Sequence, residues 1–194
     1  MTSGLFLSFL DMHIIVLRYP PGNAMSRTST TALTLARPVI RGLTILNILY
    51  AAGISALLVF SFFIEGWPQR PLGFDLTHAH PYAGFGLRVL VAIGVIAAAI
   101  VHTILRRLLA IVDTVRDGDP FTLENAQRLE AIAWRVLALE VLRFVIASIA
   151  SAVWEPGKID GFSIASWFAV LLLFVLSGVF AQGARMRADL EGTV

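Results

Sequence analysis

The sequence predicts an all-α integral membrane protein: a four-helix bundle with both termini in the cytoplasm and a cytoplasmic helical hairpin between its second and third helices. Three observations predict it. Hydrophobic residues make up 57% of the chain and charged residues 14%, against about 25% charged in soluble domains, and mean hydropathy is +0.80. Long uncharged stretches recur at the length needed to cross a hydrocarbon core, about 20 residues. Lys and Arg are shared unequally among the connecting segments, which is how a membrane chain encodes its orientation. The net charge of +2 is small and the arginines lie scattered around apolar spans, so direct nucleic-acid binding is not expected. The chain has no cysteine, which removes a disulfide framework, a thiolate nucleophile and any cysteine metal site.

Residues 1–37 read as a cytoplasmic leader to the membrane domain of residues 38–194. Gly4 to Leu10 and Ile14 to Leu17 are apolar, but Asp11, His13 and Arg18 interrupt them, and Tyr19-Pro20-Pro21-Gly22 stops a helix. Met1 to Ser8 carries no positive side chain, so a signal peptide is not expected. A start of translation at Met25, with the preceding residues an artefact of start-site assignment, is a second reading.

The first span is expected over residues 42–64, uncharged between Arg41 and Glu65. The second, residues 86–105, is built around Val89 to Leu105; Leu108 to Val112 carry its apolar character past Arg106 and Arg107, so the helix should continue beyond the membrane. The third, residues 135–154, is the weakest, because Glu140 and Arg143 sit inside it and each costs about 2.5–3.5 kcal/mol on insertion scales. The fourth, residues 162–184, is uncharged between Asp160 and Arg185. Arg18, Arg27, Arg37 and Arg41 precede the first span, Arg106, Arg107, Arg116, Arg128 and Arg135 fall between the second and third, and Arg185 and Arg187 follow the fourth. Arg70, Arg88 and Lys158 fall on the opposite side. The positive excess puts both termini inside. Trp67, Tyr82, Trp154 and Trp167 suit the outer interface and Trp134 the inner one.

Between the second and third spans, Leu105, Leu108, Leu109, Val112 and Val115 keep helical spacing until Gly118 and Pro120 break it. Thr122 is placed to cap the returning helix with Glu124 in its first turn, and Leu123, Ala126, Leu129, Ile132 and Ala133 give that helix an apolar face. The stretch Arg116-Asp-Gly-Asp-Pro-Phe-Thr-Leu-Glu-Asn-Ala-Gln-Arg-Leu129, with Gly178-Val-Phe-Ala-Gln-Gly183 and the ending Asp189-Leu-Glu-Gly-Thr-Val194, resembles the bacterial membrane family catalogued as domain of unknown function 2975, from about Pro38 to the end of the chain. The resemblance implies four membrane helices in a bacterial cytoplasmic membrane, no established biochemical activity, and frequent encoding beside a small helix-turn-helix regulator of the phage-repressor type.

Two functions are weighed on these residues. The leading expectation is a membrane-anchored regulatory or sensory protein that docks a cytoplasmic partner such as a helix-turn-helix regulator. Gly118 and Pro120 would shape the docking turn, Phe121 and Leu129 would supply apolar anchorage, Asn125 and Arg128 polar contacts, and Asp189 and Glu191 acidic ones. The alternative is a small transporter or channel subunit, with Glu140, Arg143 and His102 lining a polar route. Glu140 and Arg143 share a helix face, able to pair with each other or with Arg106 and Arg107; the blander reading, that both reach toward the interface and set helix depth, is favoured. His102 is expected to be a packing histidine.

Gly94 with Ala98, Ala147 with Ser151 and Ser148 with Ala152 put small residues four apart, which lets helices approach closely, within one chain or between copies in a homo-oligomer. Asn47 and Ser177 are expected to form interhelical hydrogen bonds. His78, His80 and Asp75 mimic a metal cluster, but without fixed spacing an ordinary polar loop is favoured, and no metal or cofactor is expected. No nucleophile elbow, phosphate loop or His-Glu-x-x-His occurs, so the chain is not expected to be an enzyme.

Overall fold

A computed structural model describes residues 23–65, 67, 83–153 and 163–191. Among them the chain is all-α, in four helices: α1 (Asn23–Phe60), α2 (Ala83–Arg116), α3 (Leu123–Val153) and α4 (Ile164–Glu191). The chain divides into two units, residues 1–36 and residues 37–194. Of the first, the described part is the leading stretch of α1; the second holds the remainder of the fold.

Every helix is longer than its expected span, although α1 ends at Phe60, short of the expected residue 64, and α4 starts at Ile164, after the expected residue 162. α1 runs for 38 residues, α2 for 34 and α3 for 31, so α2 is about 51 Å long against a hydrocarbon core of about 30 Å. The reason is that a charged side chain ends a membrane span without ending a helix. Arg41, Arg106 and Arg107 are good helix formers, and the hydrogen-bond ladder passes through them. The leader from Asn23 onward is therefore helical, and Pro38 lies inside α1 without stopping it.

The helices run antiparallel to their chain neighbours, and the cross-links fix the register. Between α1 and α2, Arg37 pairs with Asp113 at 3.0 Å, Asn47 Nδ2 donates to the Ala98 carbonyl at 3.0 Å, and a Cβ added at Gly94 would stand 3.6 Å from Ile54. At the far end Arg88 Nη2 donates to the Ser61 carbonyl at 2.7 Å, and its guanidinium stands 5.0 Å from the Phe62 ring centroid. Arg88 thus satisfies a carbonyl at the end of α1, where the helix can no longer do so. The Asn47 bond is interhelical, as expected from sequence. Ser177 differs: its hydroxyl donates to Phe174 of its own helix at 2.8 Å, because a helical Ser reaches its own preceding carbonyls before a neighbour's.

The best-buried core lies where α2, α3 and α4 meet, around Ile111, Leu129 and Ile132, with Ile104, Val136, Leu173 and Phe180 packed on it. Ala98, Ala133 and Ala150 are 3%, 0% and 4% exposed, so small side chains sit where backbones approach most closely. Outside this core the apolar surface points outward. Three helical stretches are long and apolar enough to cross a membrane, Thr34–Phe60, Gly84–Arg116 and Ile164–Leu190, and at most 11% of the most apolar window of each is buried. Water would not tolerate that arrangement, whereas acyl chains solvate it. α3 is not among these three; Arg135, Glu140 and Arg143 dilute its apolar character. Tyr82, Trp154, His78, His80 and Asp75 lie outside the described residues.

Candidate functional site

The turn between α2 and α3 is built from backbone chemistry. Gly118 has φ of 89°, a conformation that costs an ordinary L-residue about 1–2 kcal/mol. With that geometry Gly118 N donates to the Val115 carbonyl at 3.2 Å and Asp119 N to the Thr114 carbonyl at 3.1 Å. These two bonds are a Schellman motif, and they satisfy carbonyls that α2 leaves open at its end. Four residues on, the Thr122 hydroxyl accepts from Asn125 N at 3.0 Å and its carbonyl from Ala126 N at 3.2 Å, the N-cap anticipated from the sequence. Arg116 in the last turn of α2 and Glu124 in the first turn of α3 oppose their helix dipoles favourably.

Asn125 is fully buried beneath this turn, at 0% exposure. Its Nδ2 donates to the Thr114 hydroxyl at 2.7 Å and to the Pro120 carbonyl at 3.0 Å, and its Oδ1 accepts from Arg128 Nη1 at 2.8 Å. One amide thus bridges α2, the turn and α3, with both donors used. Arg128 also pairs with Glu124. Leu129 is 7% exposed and belongs to the core. Asn125 and Leu129 therefore support the hairpin from within, and the surface portion of the predicted set is narrower than the sequence suggests.

The turn is clasped to the end of α4. The Phe121 ring lies 5.2 Å from the Phe180 ring, inclined at 42°. It also rests on Gly183, where an added Cβ would come within 2.9 Å of Phe121 Cδ1. Beside it Asp119 and Arg187 form an ion pair. Both partners are nearly half exposed, at 44% and 47%, so the pair is worth about 0–1 kcal/mol. The aromatic contact is worth about 0.5–1.5 kcal/mol beyond its buried area, so Phe121 is the chief fastening. Phe180, Gly183 and Arg187 were not singled out as contacts of the turn from sequence. Their spacing, three or four apart, does place them along one face of α4, and that spacing was the available signal.

Around the clasp lies an open hollow of about 400 Å³ lined by Asp119, Phe121, Leu123, Ala184 and Arg187 among others. Phe121, Leu123, Met186 and Leu190 are exposed apolar side chains at this end of the molecule. Asp189 lies in the last turns of α4 and Glu191 closes the helix; residues 192–194 lie outside the described residues.

The intramembrane candidates are separated. Glu140 and Arg143 pair with each other at 3.8 Å, an ion pair too long for an aligned hydrogen bond. His102 lines a different hollow, of about 640 Å³, with Asn47, Ser55 and Thr103. Neither Glu140 nor Arg143 lines it. No group of three or more His, Cys, Asp or Glu with metal-binding geometry occurs among the described residues.

Four helices, three of them long and apolar enough to cross a bilayer, define the class as multi-pass α-helical membrane protein. Within that class the chain belongs to the family described as Protein of unknown function (DUF2975), whose model matches residues 65–194. The match spans α2 to α4 and the clasped turn; it begins after α1, later than the Pro38 start suggested by the sequence motifs. No curated protein and no solved structure matches the chain.

Proposed function

We propose that this is a membrane-anchored regulatory or sensory protein of the bacterial cytoplasmic membrane, which docks a soluble cytoplasmic partner on the surface formed by the α2–α3 turn and the end of α4. The observation that supports this reading is the clasp: Phe121 on Gly183 and Phe180 joins two segments distant in sequence into one surface with apolar side chains exposed. A helix-turn-helix regulator is the partner class the family resemblance suggests. On this reading Phe121, Leu123 and Arg128 face the partner, Asp189 and Glu191 supply acidic contacts, and Gly118, Pro120, Asn125 and Leu129 hold the surface in shape.

The same reading has four spans with both termini inside. Arginines concentrate at the end of the bundle that holds the turn and the α4 terminus, which the positive-inside rule assigns to the cytoplasm. α3 runs antiparallel between α2 and α4, linked by Arg135 to Thr103 and by Trp134 to Phe174. Where those two helices cross, connectivity carries α3 with them, and the Glu140–Arg143 pair lowers its insertion cost. Transport is the less favoured reading because Glu140 and Arg143 share no hollow with His102.

The test is co-purification of the full chain with a helix-turn-helix regulator encoded beside it, comparing wild type with Leu123→Ser, Phe121→Ala and deletion of residues 189–194. Recovery should fall at least about tenfold with Phe121→Ala. Undiminished recovery in all three variants rejects the docking surface. Flux in proteoliposomes that disappears with Glu140→Gln would favour transport instead.

A further inference from the structure

A second hollow, of about 470 Å³, opens between α2 and α3 below the turn, and it is lined by four arginines: Arg106 and Arg107 from α2, Arg128 and Arg135 from α3. Its other charged lining residue is Glu124, and that carboxylate is already paired with Arg128. Arg135 is held in place by Nε donating to the Thr103 hydroxyl at 2.9 Å and Nη1 to the Ala131 carbonyl at 2.8 Å. Arg106 and Arg107 have no acidic partner among the described residues. Arginines that serve only to orient a span need no convergence; scattered around a loop they attract the inner leaflet equally well. Here two helices bring four arginines to the wall of one concavity, and a single carboxylate, Glu124, stands among them. A guanidinium presents a planar fork of N–H donors matched to phosphate oxygens.

We propose that this hollow is a phosphate-binding site, taking either the phosphodiester of an anionic lipid headgroup or a soluble phosphate ester. Arg106 and Arg107 supply the free donors, and Arg128 and Arg135 form a pre-positioned wall. Its place at the end of the expected α2 span suits a headgroup, since basic hollows between helices on the cytoplasmic side recognise such lipids. Arg106 and Arg107 have no part in the proposed docking surface, so their substitution separates this site from docking of a protein partner.

Native mass spectrometry of the full chain in detergent, with phosphatidylglycerol and phosphatidylcholine offered in equal amounts, reads the site directly. The wild type should retain phosphatidylglycerol over phosphatidylcholine, and Arg106→Gln with Arg107→Gln should weaken that retention by at least about tenfold while circular dichroism stays unchanged. A second arm adds inorganic phosphate at constant ionic strength. Displacement of the lipid, or a rise in Tm, assigns the hollow to soluble phosphate esters; neither effect, with selectivity kept, assigns it to the headgroup. Equal retention of the two lipids with no effect of phosphate overturns the proposal. So does a phosphatidylglycerol preference that survives the double substitution. If the double variant loses helix content, the single substitutions decide, and an unchanged preference in both has the same consequence.

Discussion

At Asn125 a primary amide is closed off completely from solvent, and each of its hydrogen-bonding groups meets a group of this chain. Truncation to Ala would strand the Pro120 carbonyl, while the Thr114 hydroxyl keeps the Ile111 carbonyl of its own helix, so Asn125→Ala should cost about 1–3 kcal/mol, measured by unfolding in mixed detergent. Aspartate is nearly isosteric but offers no N–H to Pro120, so Asn125→Asp should be no better tolerated. A loss below about 0.5 kcal/mol for both would show that the amide does not hold the turn. Gly118 makes a cleaner case, because nothing lies within 4 Å of where its Cβ would stand. Any cost of Gly118→Ala is then backbone strain alone, about 1–2 kcal/mol. Gly118→Asn should recover part of it, since Asn tolerates left-handed φ better than Ala does. Sequence reading found the glycine, the proline and the Thr122 cap because turn chemistry is local. It placed Asn125 on the surface because an Asn in a first helical turn is polar by type, and only the approach of α2 reveals that it is enclosed.

Helix by helix, the sequence located all four elements and the break between α2 and α3, but it missed the start of α1 at Asn23 and the end of α4 at Glu191 because it measured runs without charge while the backbone follows propensity. α3 shows the difference best: Arg135, Glu140 and Arg143 weaken its membrane signal, yet the helix runs unbroken from Leu123 to Val153. The Glu140–Arg143 pair on it should behave as a unit. Glu140→Leu alone leaves an uncompensated cation and should lower stability by about 3–5 kcal/mol, whereas the double replacement with Arg143→Leu should be neutral or stabilising; equal losses in single and double variants would rule this out. α4 offers a sign test of the clasp. In the wild type, Gly183→Ala drives a Cβ toward Phe121 and should destabilise. In a Phe121→Ala background the obstacle is gone, and the same change should stabilise by about 0.5–1 kcal/mol through helix propensity. A double-mutant cycle without that reversal would mean the ring does not rest on the glycine.

For the molecule as a whole, most of the long apolar surface faces outward, and its solvent must be lipid. The chain should stay with membranes through alkaline carbonate washing, and reporter fusions in the turn near Asp117 to Phe121 should report the cytoplasm; release by carbonate, or an exported turn, would refute the proposed arrangement. The presence of several membrane-crossing helices was readable because hydropathy is summed over many residues and tolerates error at any one. The clasp was not readable, because nothing in local composition says that Phe121 will meet Gly183. That contact has a bearing on biogenesis. The partners of Asp119 and Phe121 lie at residues 180–187, made only after the whole of α3 and most of α4. A nascent chain stalled before them could thread its earlier helices into the bilayer and still carry an unfastened turn. The fastened surface therefore certifies that α4 has been made and has folded back onto the turn, a checkpoint written into the order of synthesis.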